Sequence, residues 1–433
     1  MKRIALTVLM VVGGTFVALF PVPDRSLPPV TTQAPDVIGS DTARTVAYCP
    51  WARSDAILDS TFSMAVLGGA DVEIMVPRAG QVAGSVRRAV PDVGSVVMSS
   101  VVPFGSEGGV VEFTAGPASA LSLGAGPGIL ASADCRTSLS KVWLLAGGST
   151  LPGELLELRL FNPFPQDAKV TIRVTSENGA EPESTLETVS VPARSTRTFD
   201  LARPFPQRGV LALSITDPDG FVIPALNQAL DNGDVALWTA GPPADQWFFP
   251  YAGSGSTGPG SLVLVNDGVE PTSFLVTGYT AAGTVPDVTD GILQPRSVVV
   301  VPLADLGITD GFEVAADAPI GAFLIGRSDT ARAGTRGVPT VATRWLVPGV
   351  GSVGLANLAI MNPGTESVTA TVAYGERQEK VAVPAGTSVA FVVPAASSGA
   401  GGFVSATGPV VVGWTVDDGV AVAFSMATPI ADE

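Results

Sequence analysis

Apolar and polar residues in this chain alternate or run in short blocks, and after Phe20 no stretch repeats with the period of a helix. Lys169-Val170-Thr171-Ile172-Arg173-Val174 is the plainest case. Its branched apolar residues face one side and Lys, Thr and Arg the other, as a half-buried antiparallel strand requires. Three stretches open on a tryptophan: Trp143-Leu144-Leu145 leading to Asn162-Pro163, Trp247-Phe248-Phe249 leading to Asn266-Asp267, and Trp345-Leu346-Val347 leading to Asn362-Pro363. In each, a Gly/Ser-rich turn joins the tryptophan strand to a second apolar strand that stops at the asparagine. Val191-Pro192-Ala193 and Val383-Pro384-Ala385 mark a further shared corner. One β-unit is used repeatedly.

The stretch from Trp247 predicts seven strands: Trp247–Tyr251, Ser261–Val265, Ser273–Tyr279, Thr289–Leu293, Ser297–Leu303, Gly311–Ala315 and Ile320–Arg327. Short strands spaced by ~8–12 residues are the signature of an immunoglobulin-like or fibronectin-type sandwich. The stretches from Trp143 and Trp345 predict the same order, and the tryptophans recur at roughly the ~100 residues of one such domain. The expected fold class is all-β: tandem immunoglobulin/fibronectin-like antiparallel β-sandwich domains with one N-terminal transmembrane helix. Residues 1–21 are expected to be a signal-anchor or signal peptide, 22–44 an extended Pro/Thr-rich linker and 45–140 a first β-domain. Sandwich repeats follow at 141–242, 243–342 and 343–433. Trp143, Trp247 and Trp345 are read as repeat-core residues, each in a core of its own, and Asn162 and Asn362 as strand-ending turn residues. Short connections between such domains predict a stiff rod.

At the N-terminus Lys2-Arg3 precede an unbroken apolar run, Ile4 to Phe20. Cations before the run place the N-terminus in the cytoplasm, and its length lies at the short end of the ~17–25 residues of a membrane span. The bulky residues Leu19 and Phe20 offer no small-x-small cleavage pair, which favours an uncleaved anchor over a removed signal peptide. The protein is expected in the cell membrane as a single-pass chain with its bulk outside the cytoplasm; the alternative is secretion. In that compartment Cys49 and Cys135, the only two cysteines, are expected to form a disulfide whose reduction would weaken the first domain alone.

Composition narrows the chemistry. Only 15% of the residues are charged, the formal net charge is −16, and Gly (49) and Pro (36) are abundant, which suits many strands and turns and disfavours nucleic acid as a partner. No histidine occurs, so Ser-His-Asp and Cys-His catalysis have no base and zinc or haem would lack its usual ligand. No catalytic, cofactor-binding or metal-ligating residue is assigned.

The N-terminal anchor, the two-cysteine first domain, Cys135 followed by Trp143-x-x-x-Gly147-Gly148, the Leu-x-Leu-x-Asn-Pro run and the Val-Pro-Ala corner together resemble an uncharacterised family of actinobacterial envelope proteins, the domain of unknown function 5719. The resemblance implies an exported β-sandwich protein and carries over no catalytic residue. Asn266-Asp267 in the middle unit departs from its Asn-Pro pattern.

Other motifs have plainer readings. Asp217-Pro218-Asp219-Gly220 begins like a calcium loop but lacks the closing bidentate Glu, and a turn explains it. Ser138-Leu139-Ser140-Lys141 matches S-x-x-K without the companion motifs of that chemistry. Trp238, which has no obvious counterpart in the aligned units, is the one candidate for stacking on a sugar ring. The function expected is a membrane-tethered structural or interaction scaffold of the cell envelope without catalytic activity, its partner an envelope protein or a glycan. A carbohydrate-binding module is the alternative, and a carboxylate-based hydrolase the third reading.

Overall fold

A computed structural model describes residues 37–39 and 44–431, apart from 55–57, 91, 92, 98, 99, 102–104, 127, 183–185, 252–257, 259, 307–309, 329, 330, 350–355, 394–400 and 418. The expected membrane span at Ile4–Phe20 lies outside these residues. Among the described residues no helix is long and apolar enough to cross a membrane. Residues Pro35–Glu433 form one compact unit, built of antiparallel strands.

The second repeat shows the pattern. Its strands are Val142–Gly148, Glu154–Asn162, Ala168–Ser176, a fourth in two pieces (Gly179–Ala180 and Val189–Val191), Ser195–Asp200, Leu211–Thr216, Ile223–Leu230 and Val235–Thr239. The first, sixth, third and fourth form one sheet in that order; the eighth, seventh, second and fifth form the other. All four repeats share this order. In an immunoglobulin domain the first two strands lie in one sheet, whereas in the second, third and fourth repeats they pair in different sheets and only in the first do they pair with each other, so the connectivity is not the expected one. In the third and fourth repeats the sixth and seventh strands are one continuous strand, Gly311–Arg327 and Gly402–Asp417, that pairs first in one sheet and then in the other. Pro319 and Pro409 sit where it crosses between sheets, a place that requires no ladder N–H.

The repeats close into a ring and do not extend as a rod. Their eighth strands, Ile129–Asp134, Val235–Thr239, Arg332–Arg336 and Val422–Met426, pack in cyclic order, first on second, second on third, third on fourth and fourth back on first. Polar bonds tie this hub. Thr239 Oγ1 donates to Asp134 O (3.1 Å), the Arg332 N–H to Asp234 Oδ2 (2.7 Å), Ser132 Oγ to Phe424 O (2.7 Å), and Ser425 Oγ to Asp134 Oδ1. Around it, the first strand of each repeat packs on the second and seventh strands of the next, and the fourth repeat does so on the first. Ile38, assigned to the linker by sequence, forms a parallel bridge to Ile430 beside that closing seam. Gly349 (φ +84°) also lies there, where a Cβ would meet Leu121 at 2.5 Å.

The reason is legible in the burial. Trp143 and Leu144, Trp247 and Phe248, and Trp345 and Leu346 are all at most 3% exposed, so adjacent residues pointing to opposite faces are both covered. A sheet apolar on both faces needs a neighbour on each side. The cores are accordingly not separate. One cluster joins Trp247, Leu264, Trp345, Leu358 and Trp414 with Leu121, Leu123 and Leu130 of the first repeat. Another joins Trp143 and Leu158 with Val263, Phe323 and Ile325 of the third.

Candidate functional site: four equivalent junctions

Each junction is built on one register position. The first-strand residue that turns toward the next repeat is Tyr48, Leu144, Phe248 or Leu346 in the four repeats. Its sixth-strand partner is Val110, Ser214, Glu313 or Phe403, and beyond that on the third strand stand Met75, Arg173, Thr277 and Ala373. Two junctions are sealed by hydrocarbon. Val110, Tyr48 and Met75 cluster with Phe161 and Ile223 of the second repeat, and Phe164 stacks on Tyr48 at 5.4 Å. Leu346 and Phe403 of the fourth repeat cluster with Ala65, Leu67, Ile38 and Ile430.

The junction from second to third repeat is bridged by charge, beside a cavity of about 270 Å³ that Arg173, Asp267 and Arg296 help to line. Arg173 donates from Nε (3.2 Å) and Nη2 to the two oxygens of Asp267, and Ser214 Oγ donates to the same carboxylate at 2.6 Å. Asp267 stands where the neighbouring repeats have Pro163 and Pro363. The departure from Asn-Pro is therefore the residue that closes this seam.

At the junction from third to fourth repeat Phe248 is buried, but its register partner is a carboxylate. Glu313 accepts from Gln246 Nε2 (2.7 Å) and from the Tyr279 hydroxyl (2.5 Å). Burial pushes the Tyr279 hydroxyl well above its ordinary value, and the bond to Glu313 adds to this, so the phenol remains a donor. Between these groups and the loop Asn362–Val368 lies a groove of about 610 Å³, lined also by Phe248, Pro339 and Pro409. Its lining includes Glu313 and Glu366 and neither Lys nor Arg.

The loops that meet the junctions are held by the asparagines. Asn162, Asn266 and Asn362 are buried, and each Nδ2 donates to the carbonyl four residues on (2.7, 2.8 and 2.8 Å) and to Val191, Leu293 or Val383 O of the other sheet (3.2, 3.2 and 3.1 Å). Each Oδ1 accepts the N–H two residues on. They do more than end strands: they cross-link the two sheets. Trp143, Trp247 and Trp345 are buried, with the Trp247 and Trp345 indoles donating to Ile320 O (3.0 Å) and Ala342 O (3.0 Å). Trp238 is 2% exposed and donates to Ala146 O at 2.9 Å, so it offers no ring face to a sugar and is not a glycan contact in this conformation. Cys49 and Cys135 are joined. The Asp217 carboxylate accepts the N–H groups of Val222 (2.6 Å) and Asp219 (3.3 Å), which occupies it within its own turn. Among the described residues no group of three Cys, Asp or Glu is arranged to hold a metal ion.

Glu313 was not singled out by sequence. Its signal was a charged residue on Gly311-Phe312-Glu313-Val314-Ala315 at a register where aligned repeats carry Ser or Phe, and only the strand pairing reveals that register.

No curated protein matches the chain. Two solved structures align with it: a 1.5-MDa bacterial ice-binding adhesin (9% identity, 73% of this chain and 91% of that one, TM-score 0.12) and a Ca2+-stabilized adhesin with which an Antarctic bacterium binds ice (9%, 90% and 100%, TM-score 0.12). At that TM-score neither likeness bears on the fold or function of this chain. A family model does match, over residues 92–332, more than half the chain and reaching from the first repeat to the hub strand of the third; the chain belongs to that family of unknown function, DUF5719.

Proposed function

We propose that the protein is a non-catalytic, extracytoplasmic interaction scaffold of the cell envelope, tethered to the membrane by Ile4–Phe20. The observation that supports it is the uneven chemistry of four equivalent junctions: two are packed with hydrocarbon, one is bridged by an internal ion pair, and at the remaining one Glu313 faces a groove whose lining holds no cation. A ring with such a groove presents a partner with a rigid, preformed surface, which lowers the entropic cost of binding. The disulfide Cys49–Cys135 fits an oxidising compartment.

Cross-linking on intact cells with a membrane-impermeant reagent, followed by mass spectrometry, tests this reading. The expected result is the full chain in the membrane fraction, joined to a defined partner. Recovery in the cytoplasm, or a chain that reacts with the reagent yet joins no partner, would remove the proposal.

A further inference from the structure

We propose that the groove between the third and fourth repeats docks an arginine side chain of a partner polypeptide, its guanidinium pairing with Glu313. This rests on the scaffold reading and names the partner's chemistry. The preceding junction supplies the precedent. There a guanidinium from the third strand fills the seam and meets a carboxylate through two of its nitrogens. At the corresponding place in the third repeat stands Thr277, whose neutral hydroxyl carries no charge, while a carboxylate stands on the sixth strand as Glu313. The ring thus keeps the anion and lacks its cation.

The groove's chemistry suits that occupant. Gln246 and Tyr279 each take one site on the Glu313 carboxylate, and with about four acceptor sites per carboxylate, room remains for the two parallel bonds of a guanidinium fork. Pro339, Pro363, Pro409 and Phe248 give apolar wall for the methylene stem, which a compact ammonium would use less well. Glu366 and the net charge of −16 draw a cationic segment toward the opening. At about 610 Å³ the groove admits the residue's own backbone as well as its side chain.

The test uses the full chain in detergent and two blocked pentapeptides, Ala-Ala-Arg-Ala-Ala and the same peptide with citrulline, which keeps the shape and removes the charge. Titration followed by calorimetry is expected to show saturable binding of the arginine peptide and at least tenfold weaker binding of the citrulline one. Glu313→Gln should bring the arginine peptide down to the citrulline level. Thr277→Arg should abolish binding while the chain unfolds at an equal or higher temperature, because the ring then supplies its own guanidinium. Equal affinity for both peptides, undiminished binding by either variant, or no saturable binding to the wild-type chain would overturn the proposal. If binding fails while cross-linked partners persist, the groove is wrong and the scaffold stands; intact arginine binding without any cellular partner is the reverse case.

Discussion

The junction between the second and third repeats and the one between the third and fourth share a register and, besides Leu144 against Phe248 on the first strand, contrast at three positions. Arg173, Ser214 and Asp267 in the first correspond to Thr277, Glu313 and Pro363 in the second. The first set neutralises itself; the second leaves a carboxylate facing a groove without a cation in its lining. A ring of equivalent seams can therefore turn one seam into a site by changing a few positions, while the asparagine bonds that hold the loop are kept. What the difference teaches is that the repeat's common residues mark the frame, and its exceptions mark where the frame is used.

The comparison assumes that both junctions belong to one cooperative body. Trp345→Ala would test this most severely. A buried Trp truncation costs about 3–5 kcal/mol, and its cluster reaches Trp247 and Leu121 in other repeats. Urea unfolding followed by both fluorescence and circular dichroism is expected to show one transition, shifted as a whole; two separated transitions would mean independent repeats. Reducing Cys49–Cys135 is the next largest perturbation, about 2–5 kcal/mol. From sequence its effect should stay in the first domain. Because Cys135 directly follows the hub strand Ile129–Asp134, the ring structure expects the entire transition to move. Calorimetry with and without reductant distinguishes the two.

Much of this was legible and part was misread for physical reasons. Short strands, repeated tryptophans, the paired cysteines and the asparagine strand ends follow from patterning and composition. The ring did not, although its signal was present: Trp143-Leu144-Leu145 and Trp247-Phe248-Phe249 are continuous apolar runs, and such runs belong to sheets buried on both faces. Taken as ordinary sandwich strands, they predicted one free face per sheet and hence a rod. The hub strand Arg332–Arg336 was invisible because Arg-Ala-Gly-Thr-Arg has no apolar run; its burial comes from its own repeat and two others. Glu313 could not be ranked without the pairing that sets its register.

Smaller effects sharpen the comparison at its edges. Asn266→Ala removes two donated bonds and one accepted bond inside the protein, and Asn362→Ala the same set with a further donated bond to Pro384 O, a cost of about 1–3 kcal/mol each. Equal losses, read from thermal unfolding, are expected if both loops are held alike; a much smaller loss at Asn362 would show that the groove-side loop is loosely fixed. Acid should act on the ionic side first. Glu154 of the second repeat is opposed by its own burial, yet bonds from Ser149 and Arg332 and the charge of Arg327 hold its carboxyl below the usual range. Its folded value is thus lower than its unfolded one. The stability it contributes is complete above the unfolded value and is lost as pH falls through the folded one. Glu154→Gln should flatten that part of the stability profile, and an unchanged profile would contradict the assignment.

The smallest expected effect concerns the ion pair itself. Arg173 is 44% exposed and Asp267 19%, so solvent screens them and the pair is worth at most about 1 kcal/mol. A double-mutant cycle with Arg173→Met and Asp267→Asn isolates that coupling. It should be favourable at low salt and shrink toward zero near 1 M, where the screening length is about 3 Å. The pair's value lies less in energy than in what it occupies: Asp267 is already engaged by Arg173 and Ser214. Arg173→Met should therefore give the second junction weak, salt-sensitive affinity for the arginine peptide, measured in a Glu313→Gln background so that the groove is silent. If the peptide ignores Asp267 there, a carboxylate without a cation is not sufficient, and the difference between the two junctions lies in the shape of the groove.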